Sequence, residues 1–273
     1  MTIDSTIKLN NNIEIPRLGL GVYLSKPGKI TFDAVIWAME AGYRHIDTAK
    51  AYRNEGDVGK AIKESGIKRE EIFVTTKLWN EDQGFESTLK AFDNSLDDLG
   101  LDYVDLYLIH WPVEQKRTES WRALEKIYNE GRAKAIGVSN YTIKHLKEMD
   151  DYAEVKPVIN QVEFHPFLFQ ENLLDYCRFR EIQLEAYSPL ARAEKLDDPN
   201  IKEIADKYSI TPAQIMIRWS LQHDLVVIPK SVHKERIIEN SQVFDFEISE
   251  DDMDRLNSLN EDIRIAWDPT NVE

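Results

Sequence analysis

The sequence predicts an α/β fold: a (β/α)8 TIM barrel over residues 1–273 as a single domain, with an extra C-terminal helix and a short C-terminal loop. Three observations predict it. Apolar strand-like runs alternate with helix-like segments along the whole chain. Eight such runs occur, spaced by one βα unit each, with no linker-like change of composition between them. Several of the runs end on ionisable side chains, as the C-terminal mouth of a barrel enzyme requires. A doubly wound open sheet is the alternative arrangement of the same units.

The strand segments cover 18–22, 43–47, 72–77, 104–109, 133–138, 158–162, 182–187 and 226–229. In the first, Gly19-Leu-Gly21 begins like a dinucleotide fingerprint, but Leu24 occupies the third glycine position. These glycines therefore read as points of close backbone approach or turning. The stretch 32–40 has apolar residues at helical spacing. In 86–99, Leu89, Phe92, Leu96 and Leu99 recur on one helical face. Gly42, Gly66, Gly100 and Gly131 fall where helices should end. Thr211-Pro-Ala-Gln214 offers a capping threonine, a proline in the first helical position and a reciprocating glutamine. Pro229 should close the last strand. An amphipathic segment over 249–259 gives the extra helix, and 267–273 reads as a loop. Trp37, Trp121 and Trp219 lie on helical patterns and are expected in the core.

Apolar residues make up 42% of the 273, enough for a substantial core. A net charge of −15 argues against nucleic-acid or anionic-membrane partners. No apolar run reaches the roughly 18 residues of a membrane span. The N-terminal residues lack a signal-peptide core. One cysteine, Cys177, cannot form an internal disulfide and is expected buried on a helix, which fits a reducing compartment. A cytoplasmic monomer is the expectation. The sequon Asn140-Tyr-Thr142 is discounted without a secretion signal. There is no His-Glu-x-x-His, Cys-x-x-Cys or P-loop, and the six histidines lack metal-ligand spacing, so no metal is expected.

The chemistry gathers at strand ends. Lys77 ends the third strand, where a charge is costly to bury unless paired. Asp47 ends the second, His110 follows the fourth, and Tyr52 lies five residues after Asp47. Ser139 and Asn140 follow strand five, Gln161 is near the end of strand six, Tyr187 ends strand seven and Lys230 follows strand eight. The plain reading is a set of separate surface pairs. The sharper one is a single acid/base site. Tyr52 has an ordinary pKa of about 10, and a neighbouring Lys77 ammonium should lower it. Asp47 would pair with Lys77, and a neutral His110 could orient a carbonyl oxygen. Such a set suits carbonyl reduction if a hydride source is present. Lys230, Lys234 and Arg236 cluster just after the last strand, where barrels often bind phosphate, and Ser231 can cap the next helix. An ordinary basic helix start explains that cluster equally.

These residues resemble the aldo-keto reductase superfamily. Gly42-Tyr-Arg-His-Ile-Asp-Thr-Ala49 with Tyr52, Asn54, Glu55, Val58 and Gly59 matches one family motif. Gly137-Val-Ser-Asn-Tyr141 looks like a second, and Ile228-Pro-Lys-Ser231 with Arg236, Glu239 and Asn240 like a third. Thr75-Thr-Lys-Leu-Trp79 and Leu108-Ile-His-Trp-Pro112 match the family's lysine and histidine segments.

The resemblance implies a barrel that binds NADPH or NADP without a Rossmann fold, and a small carbonyl substrate. It implies Tyr52 as general acid, tuned by Lys77 and Asp47, with His110 positioning the carbonyl. Ser139, Asn140 and Gln161 would hold the nicotinamide carboxamide, with Tyr187 stacked on the ring. Ser188 and Leu190 would contact the pyrophosphate. Lys230, Ser231, Val232 and Arg236 would bind around the 2′-phosphate, with Glu239 and Asn240 at the adenine. Gly21, Val22 and Asp47 complete the expected cofactor set. Tyr23, Trp79, Trp111 and Trp267 would line the substrate pocket. Two places depart from the common pattern. Tyr23 stands where many members have tryptophan, and Ala191-Arg192 where glycine-rich sequence is frequent. The chain most resembles the short bacterial and protist group that reduces small aldehydes, dicarbonyls and keto sugars. Other readings are a redox-silent binding or structural protein on this scaffold, and a lyase or isomerase using Lys77 as a Schiff base. The second would leave Tyr52 and the cofactor motifs idle.

Overall fold

The structure is a computed structural model and describes residues 1–271. Eight parallel strands follow one another in chain order: β3 (Leu20–Gly21), β4 (His45–Asp47), β5 (Phe73–Leu78), β6 (Leu106–Ile109), β7 (Ile136–Ser139), β8 (Ile159–Glu163), β9 (Gln183–Tyr187) and β10 (Val226–Ile228). The ring closes where Gly19 N donates to Val227 O at 2.9 Å and Gly21 N to Pro229 O at 3.2 Å. Closure rules out the open doubly wound sheet. All eight expected strands are present, and Pro229 lies just beyond the last.

Two three-residue strands, β1 (Thr6–Lys8) and β2 (Glu14–Pro16), precede the barrel as an antiparallel hairpin. Sequence patterning does not reveal it, because three residues are too few to show alternation. Leu9 and Ile15 of this segment pack with Phe73, Leu106, Val158 and Val226 at the starts of the barrel strands. The hairpin thus plugs the end opposite the site.

Around the ring lie α1 (Lys29–Glu40), α2 (Glu55–Glu64), α3 (Phe85–Leu99), α4 (Arg117–Asn129), α5 (Ile143–Glu148), α6 (Glu171–Phe179), α7 (Pro199–Tyr208), α8 (Pro212–Gln222) and α9 (Lys234–Ser241). The helix α10 (Glu250–Asn257) is the expected extra one. The seventh unit carries two helices, α7 and α8, where one was expected. None of the helices is long and apolar enough to cross a membrane, among the described residues.

Trp121 and Trp219 are fully buried, Trp37 packs at the core margin, and Cys177 is buried on α6. Burial pushes the Cys177 thiol up to about 12. Thr211 and Gln214 form the capping box of α8, with Gln214 N to Thr211 Oγ1 at 3.3 Å and Thr211 N to Gln214 Oε1 at 3.0 Å. Ser231 does not cap α9. The cap position is His233, and Ser231 Oγ accepts from His233 N at 3.2 Å in the loop before it. In the tail, Pro269–Asn271 form a short 3-10 turn rather than plain loop, and 272–273 lie outside the described residues.

Close backbone contacts register the strands that carry the site. A Cβ on Gly59 would fall 1.9 Å from Leu99 O, so α2 and α3 touch backbone to backbone. These helices follow β4 and β5, which bear Asp47 and Lys77. Gly19 and Gly21 also serve packing: added Cβ atoms would lie 2.6 Å from His45 Nδ1 and 3.0 Å from Ile228 O.

Candidate active site

A cleft of about 1130 Å³ opens at the C-terminal ends of the strands. Beneath its floor lies Lys77, fully buried in the middle of the barrel mouth. Its ammonium donates to both Asp47 carboxylate oxygens at 2.7 Å, to Thr48 O at 2.9 Å and to the Tyr52 hydroxyl at 3.4 Å. Three hydrogens serve four acceptors, and the tyrosine contact is the longest. Asp47 also accepts from Gln161 Nε2 at 2.8 Å. The same nitrogen donates to Glu185 Oε2 at 3.0 Å, so both amide hydrogens of Gln161 are committed to carboxyl groups.

The local chain explains why Tyr52 reaches this group. After β4 the chain makes one 3-10 turn, Lys50–Tyr52, and Arg53 takes a left-handed conformation. Asn54 then fastens the turn: its Nδ2 donates to Val22 O at 3.0 Å, and its Oδ1 accepts from Thr48 at 2.8 Å. Glu55, buried at the start of α2, accepts from Thr76 Oγ1 of β5 at 2.6 Å. The motif residues around Tyr52 are thus struts between β3, β4 and β5.

The electrostatics differ from the sequence expectation at Tyr52. Its pKa is pushed well above 10, by burial first and then by the Asp47 carboxylate. Burial and Asp47 outweigh the Lys77 ammonium, whose contact with the phenol is its longest and whose charge Asp47 matches at shorter range. The phenol therefore keeps its proton. Burial also raises the Asp47 carboxyl, against the Lys77 ion pair and the hydrogen bond from Gln161. His110 sits edge-on to Tyr52, with ring centroids 5.6 Å apart, and its pKa falls well below 6.5 through burial and then the Lys77 charge. It is a neutral imidazole, as expected. Its Nδ1 is buried with no hydrogen-bond partner among the described residues.

Ser139, Asn140, Gln161 and Tyr187 form one linked wall. Ser139 Oγ donates to Gln161 O at 2.8 Å, Asn140 Nδ2 donates to Ser139 Oγ at 3.1 Å, and Tyr187 OH donates to Asn140 Oδ1 at 2.8 Å. Ser188 and Leu190 continue it, in a loop where Ser188, Ala191, Arg192 and Ala193 all have positive φ. At the far end the cleft is lined by Lys230, Ser231, Val232, Arg236, Glu239 and Asn240, and Gly21, bonded to Pro229 O, also lines it. Val22 is not on the wall. It is buried, and its carbonyl holds Asn54. Lys234 also leaves the expected cluster, pairing with Glu40 at 3.1 Å. Lys230 and Arg236 remain exposed, without an ion-pair partner among the described residues.

On the opposite side Tyr23 approaches Tyr52 at 5.0 Å between ring centroids. Trp79 lies 5.3 Å from His110, and Trp267 meets Trp79 at 6.5 Å and Trp111 at 5.6 Å. The four aromatic residues named from the sequence therefore surround one space next to the phenol and the imidazole.

Three features were not foreseen. Arg192 reaches the cleft, its guanidinium 5.6 Å from the Tyr23 ring. Glu185 and His45 extend the buried network, 3.7 Å apart. Burial and the Asp47 charge raise Glu185 to about 8, and burial lowers His45 to about 3. The signal was a carboxylate at the centre of an apolar strand, 182–187. Finally, Ile265 and Ala266 line the cleft beside Trp267.

Residues 26–261 match the sequence profile of the Aldo/keto reductase family. The chain is 52% identical over 268 residues to the glyoxal reductase of Bacillus subtilis, covering 98% of this chain and 97% of that protein. It superposes with a TM-score of 0.95 on an aldo-keto reductase from a Medee basin deep-sea metagenome library, at 48% identity, covering 98% of this chain and 100% of that one. A Bombyx mori aldo-keto reductase in complex with NADP gives a TM-score of 0.91 at 36% identity, covering 98% and 96%.

Proposed function

The chain belongs to the aldo/keto reductase family, an oxidoreductase family that uses nicotinamide cofactors, and we propose that it is an NADPH-dependent reductase of small aldehydes, dicarbonyls and keto sugars. The observation that carries this reading is the Tyr52 phenol held between Lys77 and His110 at the floor of an aromatic-walled cleft. Support for a phosphorylated dinucleotide comes from the far end of the same cleft. There Lys230 and Arg236 stand without ion-pair partners among the described residues, in a chain of net charge −15. A bound NADPH would supply the hydride for the carbonyl carbon.

The protein's own residues supply the rest. His110, neutral, donates one hydrogen bond to the carbonyl oxygen and so fixes which face of the carbon is presented. Tyr52, still protonated, gives its proton to that oxygen as negative charge develops there. The phenolate left behind lies 3.4 Å from the Lys77 ammonium, which stabilises it. Asp47 pairs with Lys77 and holds it in place. Gln161, its two amide hydrogens already committed, offers its carbonyl oxygen to a carboxamide. Ser139 and Asn140 complete that subsite, and Tyr187 forms its stacking face. Ser188 and Leu190 would flank the pyrophosphate, and Lys230, Ser231 and Arg236 would hold the 2′-phosphate. Trp79, Trp111, Trp267 and Tyr23 wall the substrate space. The molecule acts as a cytoplasmic monomer on this reading.

The similarity to a glyoxal reductase and the flat apolar walls favour small carbonyls over bulky ones. Such walls discriminate by only ~1–3 kcal/mol per methylene, so a broad range of small substrates is expected. The test is NADPH consumption across a size series from methylglyoxal to a steroid ketone. Falling kcat/KM with size supports the reading, and a preference for the steroid overturns it.

A further inference from the structure

The wall residue Trp267 lies beyond α10 on a segment with no regular structure, and its side chain is 65% exposed. Contacts with Trp79 and Trp111 alone do not explain why this segment lies across the mouth. The fastening comes from underneath. Glu163 is the last residue of β8, two positions after Gln161, and its side chain is completely buried. Its Oε1 accepts from Ile265 N at 2.6 Å and from His165 Nε2 at 3.1 Å, and its Oε2 accepts from Ala266 N at 2.9 Å. Burial works to raise this carboxyl, but His165 and the two backbone amides outweigh it and hold the group below the usual carboxylate range. A buried carboxylate is costly unless its oxygens are satisfied, and hydrogen bonds to a charged acceptor are stronger than neutral ones. Lifting the segment would remove two of its three donors at once.

We propose that Glu163 is a positioning residue for substrate selection: its carboxylate latches the C-terminal segment through the Ile265 and Ala266 amides and so sets Trp267 as a pocket wall. This rests on the carbonyl-reductase reading for the word substrate, but the latch itself does not. The other ties of the segment act elsewhere along it. Glu261 N and Ile263 N both donate to Phe167 O at 3.2 Å, and Arg264 donates to Gln170 Oε1 at 3.1 Å. None of them acts at Ile265 or Ala266. Because the latch grips backbone, it fixes the path of the segment whatever side chains that segment presents to the cleft. The strand that carries Gln161 toward the cofactor therefore also sets the substrate wall, two residues further on.

The experiment uses the full chain. In Glu163→Gln, the new amide nitrogen meets an N–H donor and one backbone hydrogen bond is lost. Hydrogen exchange without substrate or cofactor should quicken at 261–268 by about tenfold, with the strand peptides unchanged. The KM for a small aldehyde should rise about tenfold, as for the loss of one apolar contact in a pocket, with kcat and NADPH affinity unchanged. In a Trp267→Ala background the same substitution should add no further rise. Ala266→Pro removes one donor from the segment side and leaves the buried strand intact, and it should reproduce the exchange and KM effects if Glu163→Gln folds poorly. Unchanged exchange at 261–268 in both variants overturns the latch. An equal KM rise with and without Trp267 overturns its role in selection. If the wild-type chain turns over no carbonyl, the functional reading fails while the exchange result still decides the latch.

Discussion

At the floor of the cleft Lys77, Asp47, Gln161 and Glu185 are buried and hydrogen-bonded in one chain, whereas at the far end Lys230 and Arg236 stand exposed with no ion-pair partner among the described residues. The difference follows from what each end has to do. A group that passes a proton must be held in one geometry in a dry site, so its neighbours are other side chains of the same protein. A group that captures a polyanion must be available to it, so its partner is left to the ligand. The floor should therefore couple catalysis to folding, and the rim should affect binding alone.

The largest effect is expected from Lys77→Met. Turnover should fall by ~10²–10⁴, the usual weight of a general acid. Asp47 would remain buried with only Gln161, and losing one partner of such a pair typically costs ~3–5 kcal/mol of stability. A thermal melt beside the rate per folded molecule separates the two. If activity falls only in step with the folded fraction, Lys77 is a strut and not part of the chemistry.

Arg236→Ala probes the other end. NADPH binding should weaken roughly 10–100-fold, the value of one or two charge-assisted hydrogen bonds, with NADH affinity and melting temperature unchanged. Equal weakening of both cofactors would mean that this end does not read the 2′-phosphate.

A further effect belongs to Glu185→Gln and appears in stability against pH. An unfolded glutamate loses its proton near 4.3, whereas Glu185 in the folded barrel holds its own to about 8. Between these values the unfolded chain binds fewer protons. Stability from this group is complete below the lower value and is lost as pH rises through the upper one. Glu185→Gln keeps an acceptor for Gln161 and removes the titration, so its melting temperature should decline less from pH 5 to 8. Parallel profiles would show that the carboxyl is already ionised in the folded state.

The same contrast explains what the sequence discloses. Barrel strands announce themselves because runs such as Leu106–Ile109 are buried throughout and carry apolar residues without a break. Asp47, Lys77 and His110 stand out as ionisable groups that interrupt this pattern at its ends. The N-terminal hairpin is too short to leave a period. The helix α7 did leave a signal, in Asp198 capping Asn200 N at 2.8 Å before Pro199 and in Ile201, Ile204 and Ala205 on its buried face. The direction of the Tyr52 shift is not legible, because residue spacing shows neither how deeply the phenol is buried nor that the Asp47 carboxylate faces it. Nor were the Glu163 and Glu185 contacts, which join residues distant in the chain. Val22, expected at the cofactor, is buried, with its carbonyl accepting from Asn54 Nδ2.

The most direct measurement is a single-turnover rate of aldehyde reduction at saturating NADPH for Tyr52→Phe, with NADPH affinity measured on the same protein. Phenylalanine keeps the ring between Tyr23 and His110 and removes only the hydroxyl that faces Lys77. A rate lower by ~10²–10⁴ with unchanged NADPH affinity is the result expected of a floor that does chemistry and a rim that binds. A wild-type rate, or a loss of rate matched by an equal loss of NADPH affinity, would contradict it.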